Sequence, residues 1–225
     1  MSQDRKQISR VDRSKAEAKA SYDRMSQWYD LIAGTSEWKF VQVGLDLLEA
    51  KKGEKILDIG YGTGKSVLAL AQSVGKTGCV YGIDISEGMH REASARLEKS
   101  GLLERTDLRI GDAAGLPFAE GFFDALFASF TIELFDTPEI PIVLQECHRV
   151  LRDGQRMVVV SMAKKSRSSL MVKIYEWAHE KFTKYVDCRP IYVDESLSEA
   201  GFQVLEKKEM RMWGLQVDAV MATKG

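Results

Sequence analysis

The sequence predicts an α/β fold: a Rossmann-like, doubly wound, mostly parallel seven-stranded sheet with a reversed edge strand. Two observations predict the parallel part. Short apolar strands alternate with helical segments between residues 54 and 161, and a glycine-rich loop joins the first strand to a helix. Such an alternation pairs strands in parallel through right-handed crossovers. A third observation, two late strands with little chain between them, predicts a hairpin at the sheet edge.

The N-terminal region predicts two helices that cover one end of the sheet, over residues 14–50, after a mobile segment at 1–13. The first helix runs from Ser14 to about Ile32, where apolar residues recur at helical spacing, and we expect Gly34 to end it. The second helix runs from about residue 36 to 49, and Gly53 follows as its breaker.

The central region, residues 54–161, predicts the core that binds a ligand. Its five strands lie in KILDI, CVYGIDI, TDLRIGDA, FFDALFASFTI and QRMVVVSM. Apolar runs such as RMVVV suit a sheet that is covered on both faces. The helix in PEIPIVLQECHRVL is expected to stop near Gly154.

The last third changes character. Residues 163–200 form an aromatic covering segment with a helix that carries Tyr175, Trp177, Phe182 and Tyr185, followed by a short helix ending in LSEAGF. The aromatic residues either line an apolar pocket or belong to the ordinary core. Residues 202–223 form the edge hairpin. We expect one domain over residues 1–225.

Composition narrows the function classes. The 225 residues are 44% hydrophobic with a formal net charge of −1, so nothing favours nucleic acid as a partner. The polar N-terminus has no signal-peptide core, and no apolar run is long enough to span a membrane. Three dispersed cysteines suit neither a disulfide framework nor a zinc site. We therefore expect a cytoplasmic protein without a metal, and leave its oligomeric state open.

The loop ILDIGYGTGKS predicts the ligand site. It follows a strand and begins a helix. In such a loop, the backbone N–H groups of the glycines and of the helix N-terminus can bind a ligand. Its G-x-G-x-G spacing is one residue short of the dinucleotide fingerprint. It is not a phosphate-binding P-loop either, because Ile59 stands where that motif needs its first glycine. The plain alternative is a tight turn that only joins strand to helix.

Two acids end the neighbouring strands. Asp84, twenty residues after Gly64, suits the two hydroxyls of a ribose, although it also suits a helix N-cap beside Ser86. Asp112 suits an adenine amino group, with the Ala113 amide beside it, although it also suits a turn residue next to Gly111.

These segments, taken in order from about Lys55 to Val160, resemble the class I S-adenosylmethionine-dependent methyltransferases. The N-terminal SYDRMSQWYDLIAG is further similar to the subgroup of ubiquinone/menaquinone-biosynthesis C-methyltransferases. The resemblance implies S-adenosylmethionine as cofactor and methyl transfer to a small-molecule acceptor, and the aromatic helix suits an apolar one. A nicotinamide-dependent oxidoreductase and a non-catalytic S-adenosylmethionine-binding protein are the alternatives.

The resemblance also implies a role for each matching position. The methionine and ribose parts would be surrounded by the first loop, the ribose would be held by Asp84, and the adenine would lie against the next strand ends. The implied cofactor-binding residues are Tyr22, Tyr29, Asp58, Gly60, Gly62, Gly64, Asp84, Ile85, Met89, Asp112, Ala113 and Ser129. Tyr22 and Tyr29 equally suit a plain amphipathic helix face.

The sequence departs from the family pattern at two places, and it offers few candidates for a catalytic base. Tyr61 occupies a loop position that is usually small, so its ring either points away from the ligand or fills part of the site. TIELFDTPE replaces the Gly-Leu-Arg-Asn-like stretch of the quinone enzymes, which leaves the acceptor open. The catalytic residues are unknown, and the candidates are Glu133, otherwise an exposed helix-start acid, and His179. His148 is expected to be a packing or surface residue.

Overall fold

The computed structural model describes residues 14–32, 34–164 and 189–225. Its seven-stranded sheet has the order β3-β2-β1-β4-β5-β7-β6. The strands are β1 Lys55–Ile59, β2 Cys79–Asp84, β3 Thr106–Ile110, β4 Phe123–Ser129, β5 Leu151–Met162, β6 Phe202–Met212 and β7 Leu215–Lys224. Strands β1 to β5 are parallel. β7 runs antiparallel to both neighbours, so the reversed strand lies inside the edge hairpin and β6 is outermost.

The helices cover both faces of the sheet. They are α1 Lys15–Ile32, α2 Gly34–Leu48, α3 Lys65–Val74, α4 Glu87–Lys99, α5 Ile140–Val150 and α6 Val193–Glu199. Apolar residues of α2, α3 and α4 form one buried cluster with one face of the sheet. Residues of α5 and α6 form the second cluster on the other face. The predicted fold class is therefore confirmed, and so are the terminal hairpin and the short helix before it.

The roles predicted for two glycines are wrong. The first helix ends at Ile32 as predicted, but Gly34, which was expected to end it, is the first residue of α2. The fifth helix ends at Val150, four residues before Gly154, because the chain turns directly into β5. The start of β5 is irregular: Leu151 pairs with Phe123, and the next pairing skips to Arg156. Gly154 therefore serves a bulged strand rather than a helix end, and its φ of 71° suits that role.

The aromatic helix predicted within the covering segment 163–200 falls on residues 165–188, which lie outside the described residues, as do residues 1–13. The side chains of residues 27–32 and 34–36 also lie outside the described part of the structure. Within the described part of the chain, no helix is long and apolar enough to cross a membrane.

Candidate active site

The glycine loop after β1 contains three left-handed residues, and each has its own reason to lack a side chain. Gly60, Gly62 and Gly64 have φ angles of 69°, 51° and 79°. A Cβ on Gly60 would lie 2.3 Å from the Thr131 hydroxyl oxygen, and one on Gly64 would lie 2.8 Å from the Ala93 Cβ. A Cβ on Gly62 would have no atom of the described residues within 4 Å. The outer two glycines therefore pack tightly, whereas the middle one has free space around it in the described part of the chain.

Asp84 ties the glycine loop to the tip of β2. Its Oδ2 accepts the Gly62 N–H at 2.9 Å, and its Oδ1 accepts the Ser86 N–H at 2.9 Å. Burial raises the pKa of Asp84, and these two amides oppose that rise. The helix-cap role goes to Ser86, whose hydroxyl accepts the Met89 N–H at 3.1 Å. Asp84 thus lies beside the open face of Gly62 and is not itself the cap.

Asp58, in β1, is completely buried beneath the loop. The Ser66 hydroxyl donates a hydrogen bond to its Oδ2, while its Oδ1 has no hydrogen-bond partner among the described residues. Burial raises the pKa of Asp58 to about 7, and the nearby charge of Asp84 adds to the rise. A buried polar atom without a partner is unfavourable, so this oxygen has capacity for one further hydrogen-bond donor.

Asp112, at the tip of β3, is held by helix α1. Its Oδ2 forms an ion pair with Lys15 at 2.5 Å, and its Oδ1 accepts the Ala114 N–H at 2.9 Å. Lys15 also pairs with Glu139 at 2.7 Å. A carboxylate has about four acceptor positions, so these contacts leave capacity for one more donor. Ala113, between the two bonded residues, is buried.

Helix α1 lies over the start of α4. Asp23 accepts the Ser86 hydroxyl at 2.6 Å and the Gly88 N–H at 2.8 Å, and Lys19 pairs with Glu87 at 2.9 Å. The backbones meet closely, since a Cβ on Gly88 would lie 2.8 Å from the Asp23 Cα. This docking places the predicted covering helix next to the carboxylate of Asp84 through Ser86.

The remaining predicted residues of this region occupy different depths. Tyr22 on α1 is half-buried, and so is Ile85 after β2. Met89 on α4 is buried, with 2% of its side chain exposed. The side chain of Tyr29 lies outside the described residues, as does His179.

Tyr61 points away from the open face of the loop. Its ring packs against β2, where a Cβ on Gly82 would lie 2.6 Å from the Tyr61 Cδ1. Its hydroxyl is 2.9 Å from His90 Nδ1. Burial raises the pKa of Tyr61, so the hydroxyl stays protonated. These contacts favour the first of the two expected alternatives, a ring that packs against the sheet instead of the ligand.

The segment after β4 joins the glycine loop to the end of β5. Thr131 donates to the Ser129 carbonyl at 2.9 Å and lies 3.4 Å from the Gly60 carbonyl oxygen. Two residues later, Glu133 is completely buried in a short 3-10 turn, so its alternative as an exposed helix-start acid is wrong. Its Oε1 accepts the Met162 N–H at 3.1 Å, and its Oε2 has no hydrogen-bond partner within the described ranges.

Arg189 is a buried residue that the sequence analysis missed. Only 2% of it is exposed. Its guanidinium donates to the Glu133 carbonyl at 3.3 Å, to the Thr137 hydroxyl at 2.9 Å and to the Phe135 carbonyl. The guanidinium therefore fixes the segment after β4. No sequence pattern singles it out, because an arginine is exposed by default.

His148, on α5, has a packing role as expected. Its ring lies against Phe202, with the ring centroids 5.1 Å apart, and burial lowers its pKa. It belongs to the flank of the sheet rather than to the strand tips.

Comparisons with known proteins agree with this arrangement. Residues 56–154 match the family described as a methyltransferase domain. The demethylmenaquinone methyltransferase of Geobacillus stearothermophilus is 34% identical over 145 residues, which cover 64% of this chain and 59% of that protein. The ubiquinone/menaquinone biosynthesis C-methyltransferase UbiE of Burkholderia multivorans is 30% identical over 206 residues, which cover 89% of this chain and 81% of that protein.

A solved structure shares the fold at lower identity. The crystal structure of the [4+2]-cyclase SpnF superposes with a TM-score of 0.75 and 17% identity, over 94% of this chain and 97% of that one. A fold can carry several chemistries, so this likeness concerns architecture alone. The family match favours S-adenosylmethionine over a nicotinamide dinucleotide, in agreement with the G-x-G-x-G spacing. The chain belongs to the class I S-adenosylmethionine-dependent methyltransferases, with a relationship to the ubiquinone/menaquinone C-methyltransferases.

Proposed function

We propose that this chain transfers the methyl group of S-adenosylmethionine to a small-molecule acceptor. The observation that carries the proposal is the open face of Gly62, whose amide is bonded to Asp84 at the adjoining strand tip. Ligands of open α/β sheets bind at the carboxyl ends of the strands, where the strand order reverses. In this sheet the order reverses between β1 and β4.

The residues at these strand ends fit the cofactor. Gly62 offers open space, Asp84 lies beside it as a carboxylate acceptor for ribose hydroxyls, and Asp58 has a buried oxygen that lacks a donor. We name Gly62, Asp84 and Asp112 the adenosyl half of the site. We name Asp58, Ser129 and Glu133 the transfer half. Asp112 and the Ala113 amide would read the adenine edge.

The expected contribution of the chain is positioning. The cofactor supplies a methyl group on a positively charged sulfur, already activated for displacement. The glycine loop and the strand-tip acids would orient that group, and α1 would exclude water by lying over the adenosyl half. Alignment of two reactants alone lowers a barrier by roughly 7–11 kcal/mol. No triad of catalytic side chains is required for such a reaction.

The acceptor belongs to the small-molecule class by analogy with the relatives. One relative is named for demethylmenaquinone, and another for ubiquinone and menaquinone biosynthesis. The present chain spans 59% of the first of these proteins, so its acceptor is not carried over from them. We keep a quinol-like compound as one member of the acceptor class.

The test is transfer of a labelled methyl group. Purified protein is incubated with methyl-labelled S-adenosylmethionine and a panel of small aromatic and aliphatic acceptors. The proposal predicts one labelled product and an equal amount of S-adenosylhomocysteine. Firm binding of the cofactor without transfer to any acceptor would favour the non-catalytic alternative, and absence of binding would reject both.

A further inference from the structure

Glu133 is a fully buried acid that cofactor binding does not explain. Its Oε1 is satisfied by the Met162 N–H, but its Oε2 has no hydrogen-bond partner in the described chain. Burying half a carboxylate without a donor costs free energy that a purely structural residue would avoid. A glutamine or an apolar residue would fill the same space with less penalty. The unpartnered Oε2 of Glu133 therefore indicates that this side chain accepts a proton when the protein works.

Glu133 lies at the edge of the sheet where methyl transfer would occur. Thr131, two residues before it, contacts the carbonyl of Gly60 in the glycine loop. Two residues span at most about 7 Å, so Glu133 lies close to the loop. Met162, which Glu133 contacts, is the last residue of β5. Glu133 is thus at the carboxyl ends of β4 and β5, next to the switch point.

The groups around Glu133 set its charge near neutral pH. Burial raises the pKa of Glu133 to about 7, the negative charge of Glu37 on α2 adds to the rise, and the Met162 amide and Ser161 hydroxyl oppose it. The guanidinium of Arg189 contacts the Glu133 carbonyl. A base works best when its pKa lies near the working pH.

We propose that Glu133 lies at the methyl-transfer end of the site, where its unpartnered oxygen accepts the proton of a hydroxyl-bearing acceptor. This inference rests on the proposed function and names the acceptor class: an alcohol, phenol or enol. The segment from Thr131 to Glu133 links this oxygen to the glycine loop, and Arg189 holds that segment in place.

The reaction balances with these groups alone. The acceptor oxygen, or a ring carbon made nucleophilic by it, forms a bond to the methyl carbon. The bond from that carbon to sulfur breaks, and its electron pair stays on the sulfur as S-adenosylhomocysteine. The hydroxyl proton moves to Glu133 Oε2, and solvent removes it after product release.

A binding experiment tests the position without any acceptor. Calorimetry measures the affinities of S-adenosylmethionine, a permanent cation, and S-adenosylhomocysteine, which lacks that charge, for wild type and Glu133→Gln between about pH 6 and 8.5. An ionised carboxylate within a few ångströms favours the cation. In wild type, the ratio of the affinity for S-adenosylmethionine to that for S-adenosylhomocysteine should therefore increase as pH rises. At the highest pH, this ratio should be at least about threefold lower in Glu133→Gln than in wild type. Asp58 and Asp84 are present in both proteins and cancel in this comparison.

Glu54→Gln is the matched control. Glu54 is also largely buried, but it pairs with Arg156 and precedes β1, at the opposite end of the sheet. It should keep the wild-type preference at every pH. An unchanged preference in Glu133→Gln would place Glu133 away from the sulfonium and overturn the proposal. Failure of both ligands to bind wild type would instead reject the proposed function.

Methyl transfer to hydroxyl compounds tests whether Glu133 accepts the proton of the acceptor. With 1,4-dihydroxynaphthalene and catechol as probes, Glu133→Gln should lower kcat about a hundredfold and remove the acidic limb of its pH profile. The KM for S-adenosylmethionine should rise only by the few-fold loss of affinity for the cation, far less than the fall in kcat. An unchanged pH profile would contradict the base, and cofactor binding without transfer to either probe would contradict the acceptor class.

Discussion

The acids of the adenosyl half are satisfied by the protein, whereas two acids of the transfer half are not. Asp84 accepts two backbone amides, and Asp112 holds Lys15 and the Ala114 amide. Asp58 and Glu133 are fully buried, and each leaves one oxygen without a partner among the residues described. Pre-satisfied acids keep their geometry when a ligand binds. Unsatisfied acids raise the free energy of the folded protein and have capacity for a further hydrogen-bond donor.

The two halves are also held together differently. On the adenosyl side, α1 is attached by ion pairs of partly exposed lysines, such as Lys15 and Lys19, and by the hydrogen bonds that Asp23 accepts from Ser86 and Gly88. The exposed ion pairs contribute little each. On the transfer side, Arg189 fixes the segment after β4 from a fully enclosed position. We therefore expect a single substitution of the buried arginine to cost more stability than loss of one exposed ion pair.

The largest effect is expected for Arg189→Met. It removes the donor to two carbonyls and the Thr137 hydroxyl in a buried place, so the free energy of unfolding should fall by about 3 kcal/mol. Urea denaturation measures it. Arg152→Met is the control, because Arg152 is 45% exposed in its pair with Asp124 and should cost under about 1 kcal/mol. Equal losses would contradict the difference between the two halves.

Gly62→Ala should distinguish an effect on ligand affinity from an effect on the free energy of unfolding. Its φ of 51° is unfavourable for alanine by about 1–2 kcal/mol, as is the 65° of Gly101, and neither Cβ would meet an atom of the described residues within 4 Å. Denaturation should give similar losses for Gly62→Ala and Gly101→Ala. Calorimetry should show at least a tenfold weaker affinity for S-adenosylhomocysteine in Gly62→Ala alone. Equal affinities would mean that the open face of Gly62 does not meet the ligand.

The unsatisfied acids predict a pH dependence of the ligand-free protein. The folded pKa values of Asp58 and Glu133, about 7, lie above their ordinary values of 3.8 and 4.5. The folded state therefore binds more protons than the unfolded state between these limits, and stability should fall as pH rises from about 4 to 7. Above about pH 7 the curve should level off.

Glu133→Gln should make that fall shallower, by up to about 1.4 kcal/mol per pH unit. Denaturation curves across the same pH range measure the slope. Glu54→Gln removes the ion pair with Arg156 and should lower stability instead. A slope identical to that of wild type in Glu133→Gln would show that the buried carboxyl does not change its protonation in this window.

The smallest effect is expected for Tyr61→Phe. It removes the hydroxyl that contacts His90 while keeping the ring against Gly82, so stability should fall by about 1 kcal/mol. Thermal denaturation measures the loss, and calorimetry should show nearly unchanged affinity because the ring points away from the open face. A large loss of affinity would mean that Tyr61 contacts the ligand.

The same contrast explains what the sequence predicted. The adenosyl half follows local rules: glycines after a strand and an acid at the next strand tip, so spacing predicts Gly62 and Asp84 as neighbours, and the structure joins them by a hydrogen bond. The transfer half depends on burial. Glu133 and Arg189 look like surface residues in a sequence, because charged residues are exposed by default. Their burial follows from the tertiary path after β4 and before α6, which no local pattern encodes.

The two wrong glycine assignments have a similar cause. Glycine ends helices so often that Gly34 and Gly154 were assigned that role. In the fold, one begins α2 and the other lies in the bulged start of β5. Strand pairing explains the position of Gly154, since the pairing of Leu151 with Phe123 begins the strand before that glycine is reached.

The most direct test of the account is calorimetric binding of S-adenosylhomocysteine to wild type, Asp84→Ala and Asp107→Ala. Asp107 is the control because it pairs with Arg109 on β3, away from the strand tips. The account predicts one site per chain in wild type, the same affinity in Asp107→Ala, and at least fivefold weaker binding in Asp84→Ala, about 1 kcal/mol. Equal binding by all three proteins, or none by wild type, would contradict it.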